Sequence, residues 1–357
     1  MKTIRKKASL LIAAVISVTL LTGCGTKNES SADSGNSTTK VITDMEGRQV
    51  TIPKTVNKVI SLSNNTTVDI YALSPDKLLG LSFQLKDAAK GYIPDKYFNL
   101  PVVGTTTDGK VDNEAILKLA PDIIVTSDED EVFNADEIQN QLNIPVVMIS
   151  TDMTKIPEEY TLLGECLGEQ DRAKELSDLA KKTLDNVKTQ VAKVPDDKKP
   201  SLYYSENTGL KTDISGNVHT QVMDYVGAKN VADIQEDKIG SMADVSMEQV
   251  LKWNPQFILV GKTTIDLYSQ IMTDPNWSKI QAVKEKKVYQ IPSLPFNWVD
   301  RPPSSTRALG AEWLASVLYP DYVKFDVKSD TKEFYKKFFR IDLTDDQLNT
   351  VMKNAMK

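Results

Sequence analysis

Residues 113–126 read NEAILKLAPDIIVT, and residues 247–260 read MEQVLKWNPQFILV. Both fit Glu-x-(Ile/Val)-Leu-Lys-x-x-Pro-x-(Ile/Phe)-Ile. In each, apolar residues at helical spacing follow a glutamate and a proline stops the helix. A short continuous apolar run after the proline then reads as a buried strand. The two copies fall at equivalent places in two stretches where strands alternate with helices. The repeat therefore predicts an α/β protein of two similar Rossmann-like lobes, with a ligand cleft between them.

Around the first copy, residues 41–51 alternate about Glu46-Gly47 and predict a hairpin. Residues 56–62 read as a strand, and Asn64-Asn65-Thr66-Thr67 opens a helix reaching about Leu73. Residues 78–81 and 146–149 read as strands and residues 135–142 as a helix. This alternation is that of a parallel sheet. Residues 157–194 carry no internal proline, and apolar residues recur at Tyr160, Leu163, Leu167, Leu176, Leu179, Leu184, Val187 and Val191. That spacing predicts one linking helix, roughly 50 Å long at ~1.5 Å per residue. A second α/β pattern starts at residues 201–204. The expected organisation is a first lobe over 41–156, a linking helix over 157–194 and a second lobe over 195–357.

Residues 1–23 have the layout of a secretory signal: Lys2, Arg5, Lys6 and Lys7, then an apolar run over residues 8–21. The run is short for a membrane span, which needs ~20 apolar residues. It ends in Leu21-Thr22-Gly23-Cys24, and residues 25–40 contain no Val, Ile, Leu or aromatic residue. A segment of that composition buries too little apolar surface to offset its ordering entropy, so residues 24–40 are expected to form a flexible tether.

Of the 357 residues, 40% are hydrophobic and 26% charged, as in ordinary globular proteins. Without residues 1–23, which hold four positive charges and no negative ones, the net charge of −6 becomes −10. No basic run points to nucleic acid. The cysteines are Cys24 and Cys166, and the second sits at helical spacing among apolar neighbours as a buried thiol. His219 is the one histidine, and no CxxC, P-loop or GxGxxG occurs. A multi-histidine metal site and a Ser-His-Asp assembly are poorly supported, and no cofactor is expected. In Gly216-Asn217-Val218-His219, the histidine reads first as a polar helix-entry residue.

The stretch around Cys24 is similar to a bacterial lipobox, whose cysteine is diacylated. Two acyl chains suffice for stable anchoring. The hairpin VITDMEGRQVTIP, the strand-and-helix start VISLSNNTTVDIYAL and the duplicated unit, with the long linking helix, resemble the class of periplasmic binding proteins for iron complexes and vitamin B12. The resemblance covers about residues 41–340. ISGNVHTQVMDYVGAKNV and FNWVDRPPSSTRALG are similar to segments of the vitamin B12-binding member. The form Trp-x-x-Arg-Pro-Pro-Ser, followed by LGAEWLASVLYPD, also resembles a subgroup that includes molybdate and tungstate binders.

The resemblance implies a monomeric, lipid-anchored solute-binding protein on the extracytoplasmic face of the cell membrane. It would serve an ABC permease dimer with its ATPase subunits. The ligand favoured is a ferric siderophore-type chelate, with a molybdate-like oxyanion, cobalamin or haem as alternatives. A lipid-anchored hydrolase is a weaker reading. Lobe closure is expected to be a small rocking motion. Glu114 and Glu248 occupy the positions that pair with permease arginines in the family, although a glutamate at a helix start is also favoured by the helix dipole.

The ligand candidates follow from residue chemistry. Arg301, stiffened by Pro302 and Pro303, would hold a guanidinium toward an anion, unless it serves a structural salt bridge with Asp300. Trp298 would offer a flat apolar wall, unless it packs in the core. Asn64, Asn65 and Thr66 open a helix whose free N–H groups favour anions, although one of them is needed as a cap. Thr106 and Thr107 lie in a polar loop at the expected cleft height. Tyr204 and Ser205 end the first strand of the second lobe, where aromatic residues also serve packing.

Overall fold

The computed structural model describes residues 37–105, 110–128, 134–232, 234, 242–261 and 263–356. The expected signal, Cys24 and most of the tether lie outside the described residues, as do Thr106 and Thr107. The globular body spans residues 38–357.

The chain opens with a hairpin, β1 (Thr39–Thr43) and β2 (Gln49–Pro53), turning at Gly47 with φ 77°. The first lobe continues with β3 (Val59–Ser61), α1 (Asn64–Leu73) and β4 (Leu78–Gly80). After a small ribbon of β5 (Gly104–Thr105) and β6 (Lys110–Val111) come α2 (Asn113–Leu119), β7 (Ile123–Ser127), α3 (Ala135–Leu142) and β8 (Val146–Ile149). Two helices follow, α4 (Ile156–Leu167) and α5 (Gln170–Val191).

The second lobe contains β9 (Ser201–Ser205), β10 (Lys211–Thr212), α6 (Gln221–Tyr225), β11 (Lys229–Asn230) and β12 (Ala243–Asp244). It goes on through α7 (Met247–Trp253), β13 (Phe257–Val260), α8 (Leu267–Thr273), α9 (Gln281–Lys284) and β14 (Val288–Gln290). It finishes with α10 (Arg307–Leu318), α11 (Val327–Phe334), a π-helical turn over Tyr335–Phe339, and α12 (Asp345–Val351).

The four-stranded sheets have the orders β4-β3-β7-β8 and β11-β9-β13-β14, with every pair parallel. These are the same order, with the duplicated segment supplying the third strand of each. Local chemistry repeats too. Asp112 caps α2 by accepting from Ala115 N at 2.9 Å, and Ser246 caps α7 by accepting from Gln249 N at 3.1 Å. Both helices end on a left-handed residue before proline, Ala120 at φ 47° and Asn254 at φ 45°.

The linking segment differs from the expected single helix. Gly168 takes φ 71° and ends α4, and α5 runs back along it. Ser177 Oγ donates to the Pro157 carbonyl at 2.9 Å, which fixes the antiparallel pairing. Gly164 makes room for it, since a Cβ there would lie 2.3 Å from that of Ala173. The bridging rod is therefore the 22-residue α5, which touches both α1 and α10. At ~1.5 Å per residue it is roughly 33 Å long.

One apolar core runs through both lobes, including Ile52, Val59 and Val68 of the first, Leu176 and Leu184 of α5, and Leu202, Trp313 and Phe338 of the second. The C-terminal segment crosses back to the first lobe. Tyr71 packs against Phe296 and Phe339, Tyr160 packs against Phe338, and Arg340 donates to the Leu73 carbonyl at 2.9 Å. Tyr92 Oη donates to the Gln347 carbonyl of α12 at 3.3 Å.

Candidate ligand-binding site

In open α/β sheets ligands bind beyond the carboxyl ends of the strands. In the first lobe, β3 ends there in a hydroxyl network. Ser61 Oγ and Thr66 Oγ1 are 2.6 Å apart, Ser63 Oγ and Thr126 Oγ1 2.7 Å, and Ser127 Oγ donates to Asn65 Oδ1 at 2.9 Å. This network fixes the entry to α1, whose first turn holds no acidic residue. Asn65 and Thr66 are buried within it and set the backbone, while Asn64 keeps partial exposure and accepts from Ser82 Oγ at 2.9 Å. The α1 terminus presents the positive end of its dipole.

In the second lobe Arg301 is enclosed by acids. Its Nε donates to Glu206 Oε1 at 3.1 Å and lies 3.3 Å from Asp300 Oδ2. Its Nη2 donates to Asp213 Oδ2 at 2.6 Å, and its Nη1 lies 2.8 Å from His219 Nε2. A guanidinium only donates, so His219 Nε2 is the acceptor and its proton sits on Nδ1, which lies 3.5 Å from Asp300 Oδ2. Tyr204 Oη donates to the other Asp300 oxygen at 2.7 Å. Glu206, Asp213 and Asp300 are fully buried, whereas the Arg301 side chain retains 13% exposure at the mouth of the cage.

Burial, and then the neighbouring Asp300 charge, push the Glu206 carboxyl up to about 9. Burial works against the Arg301 charge, but the carboxylates of Asp300, Glu206 and Asp213 outweigh it and hold the guanidinium charged. The Tyr204 phenol is pushed well above its usual range by burial and by Asp300. One oxygen from each of Glu206, Asp213 and Asp300 lies within 4.8 Å of the others, a spacing that suits a cation. Here the guanidinium is that cation.

The loop carrying Arg301 packs on α1. Ser305 N donates to Asp69 Oδ1 at 3.0 Å, and Tyr160 Oη of α4 donates to Ser305 Oγ at 2.9 Å. Arg307 donates to the Thr151 carbonyl at 2.7 Å and to Gln221 Oε1 at 2.8 Å, tying the end of β8 to α6. The loop that carries Arg301 is thus held against the middle of α1, across the lobes. A cavity of about 550 Å³ lined by Tyr71, Tyr92, Tyr97, Phe339 and Arg340 lies instead by the C-terminal end of α1.

Several expected residues take other places. Trp298 is fully buried, donates Nε1–H to Tyr335 Oη at 3.2 Å and packs edge-on against Trp313. Its ring presents no wall to a ligand, because Gly310 lets α10 close directly over the Trp298 backbone. Tyr204 and Ser205 are also buried; Tyr204 orients Asp300, and Ser205 Oγ donates to the Gly209 carbonyl at 3.0 Å. Glu114 and Glu248 are exposed at the second position of α2 and α7. Sequence reasoning named Asp300 as a salt-bridge partner of Arg301, which the 3.3 Å contact bears out, but missed Glu206 and Asp213 and placed His219 only at a helix entry. The signal available was the polar run SENTGLKTDISGNVHT directly after β9.

Residues 59–295 match the family model described as periplasmic binding protein. The molybdate-binding protein MolA of Haemophilus influenzae is 30% identical over 331 residues, which span 84% of this chain and 91% of that protein. The Fe(3+)-citrate-binding protein YfmC of Bacillus subtilis is 22% identical over 80% of this chain and 89% of its own. The solved structure of an ABC transporter solute-binding protein from Sulfurospirillum deleyianum superposes with a TM-score of 0.81 at 27% identity, covering 88% of this chain and 99% of that one. The repeated parallel sheets, the helical rod between them and these matches agree: the chain belongs to the periplasmic binding protein family, within its iron-complex and vitamin B12 class of extracytoplasmic solute-binding components of ABC transporters.

Proposed function

We propose that this protein captures a compact metal-containing anion, a molybdate-type oxyanion or a small ferric chelate, and delivers it to its permease. The observation that carries the reading is the guanidinium of Arg301 at the lobe junction, opposite in charge to such a ligand and packed through its loop against α1. The burial of Trp298 removes the flat apolar surface that a haem or corrinoid would stack on, which favours a small polar ligand over a macrocycle. The relatives named for molybdate and for ferric citrate support both ligand types. Acylation at Cys24 would hold the protein at the membrane. Glu114 and Glu248, one on each lobe at matching helix positions, would then pair with arginines of a two-fold permease.

The test is native mass spectrometry and thermal shift of the mature chain with molybdate, tungstate, ferric citrate, a ferric hydroxamate, haem and cobalamin. A ligand at 100 times its Kd adds about 2.7 kcal/mol to stability. A melting shift with one of the anions, lost in Arg301→Lys, is the expected result. A shift with haem or cobalamin alone would overturn the compact-anion reading.

A further inference from the structure

Arg301 faces three carboxylates, from Glu206 after β9, Asp213 after β10 and Asp300 on its own loop, with one neutral histidine and one phenol completing the shell. Even with Glu206 holding its proton, Asp213 and Asp300 give the cage more negative than positive charge before any ligand arrives. All three carboxylates are fully buried, so water screens them little. Glu206 Oε2 finds no hydrogen-bond donor among the described residues. An anion that approaches Arg301 either uses its outward N–H groups or displaces a carboxylate from them. In both cases a second negative partner must share one cation inside a low-dielectric shell, and like charges so placed favour protonation of one of them.

We infer that anion capture at Arg301 is coupled to the uptake of a proton by the carboxylates of Asp213 and Asp300, which share that guanidinium. This rests on the proposed anion site and adds to it a linkage between pH and affinity. Glu206, pushed up to about 9, already holds its proton in the neutral range and is not the group that takes one up. The proton moves from solvent to a carboxylate, and no bond other than that to hydrogen forms or breaks. Capture is then favoured at lower pH, and release into the permease is favoured by loss of the proton.

Isothermal titration of the mature chain with molybdate, tungstate and ferric citrate, each in two buffers of different ionisation heat at one pH, counts the protons. The expected uptake approaches one per anion bound, and Kd tightens by up to about tenfold per unit between pH 8 and pH 6. Asp213→Asn removes one carboxylate, so the proton count falls toward zero and the pH dependence flattens. Asp300→Asn serves in its place if circular dichroism shows that Asp213→Asn is unfolded. Subtracting the variant from the wild type also cancels any proton released by the ligand itself. An anion bound with no proton exchange and a pH-independent Kd would sink the inference while leaving the binding role intact. Binding of a cationic ferric hydroxamate but of none of the anions would do the same. Failure of every ligand, the hydroxamate included, would overturn both readings.

Discussion

Arg301 shows what one side chain does when its counter-charges are buried with it. Removing it leaves three carboxylates in a dry shell, and breaking a buried ion pair from one side costs about 3–5 kcal/mol. Arg301→Ala is therefore expected to melt well below wild type, whereas Arg301→Lys keeps the charge and loses the forked geometry that reaches several acids at once. Trp298 makes the opposite case. A large apolar ring in a polar, proline-rich loop looked like a ligand wall, but its burial depends on Gly310, a feature of shape that no spacing rule reveals. Trp298→Ala should cost about 3–5 kcal/mol of stability in chemical unfolding, with ligand affinity of the folded fraction unchanged. The cage itself was illegible because its members come from four separate loops and a strand end, joined only by the fold. Arg301 could be singled out from its two following prolines and Asp300 as its neighbouring partner, but Glu206, Asp213 and His219 could not.

Glu312 of α10 gives a pH dependence away from the site. Burial, and then Asp330, push its carboxyl up to about 8. In the unfolded chain it releases its proton near ~4.3. Between those values the folded state binds more protons, so its contribution to stability is full below ~4.3 and is lost as pH rises toward about 8. Melting temperature measured from pH 5 to pH 8 should fall less steeply in Glu312→Gln than in wild type; equal slopes would contradict this origin.

At the scale of elements, the repeated unit was fully readable. A glutamate start, a proline stop and a β-rich apolar run fix helix and strand locally, and both copies formed as expected. The linking segment was readable in its helicity but not in its path. Apolar residues keep helical spacing through residues 157–194 because α4 and α5 each carry a buried stripe, and only Gly168 breaks the register. Gly164→Ala should test the resulting contact. Its added methyl meets Ala173, and the overpacking is expected to cost about 1–3 kcal/mol. The matched α2 and α7 carry a different expectation. Glu114→Ala with Glu248→Ala, both exposed, should leave melting and ligand affinity within about 0.5 kcal/mol of wild type. Ligand-dependent stimulation of the transporter ATPase in liposomes should be lost. Retained stimulation would remove the docking role.

For the whole molecule, a core shared by both lobes and α5 argues for cooperative behaviour. Circular dichroism and tryptophan fluorescence should report one coincident unfolding transition, since Trp298 and Trp313 sit in the same core as the first-lobe strands. Small-angle scattering with and without ligand should show little change in radius of gyration, because wide opening would expose the contacts of Tyr71 with Phe296 and Phe339. The lobes and their order were legible because each element is specified by neighbours in sequence. The contacts of Arg340 and α12 with the first lobe were not, because they pair residues more than 250 positions apart.

That late contact bears on how the chain is made. The first lobe leaves Tyr71 and Tyr92 without their final cover until the C-terminal segment has emerged, so a growing polypeptide cannot finish its earliest part first.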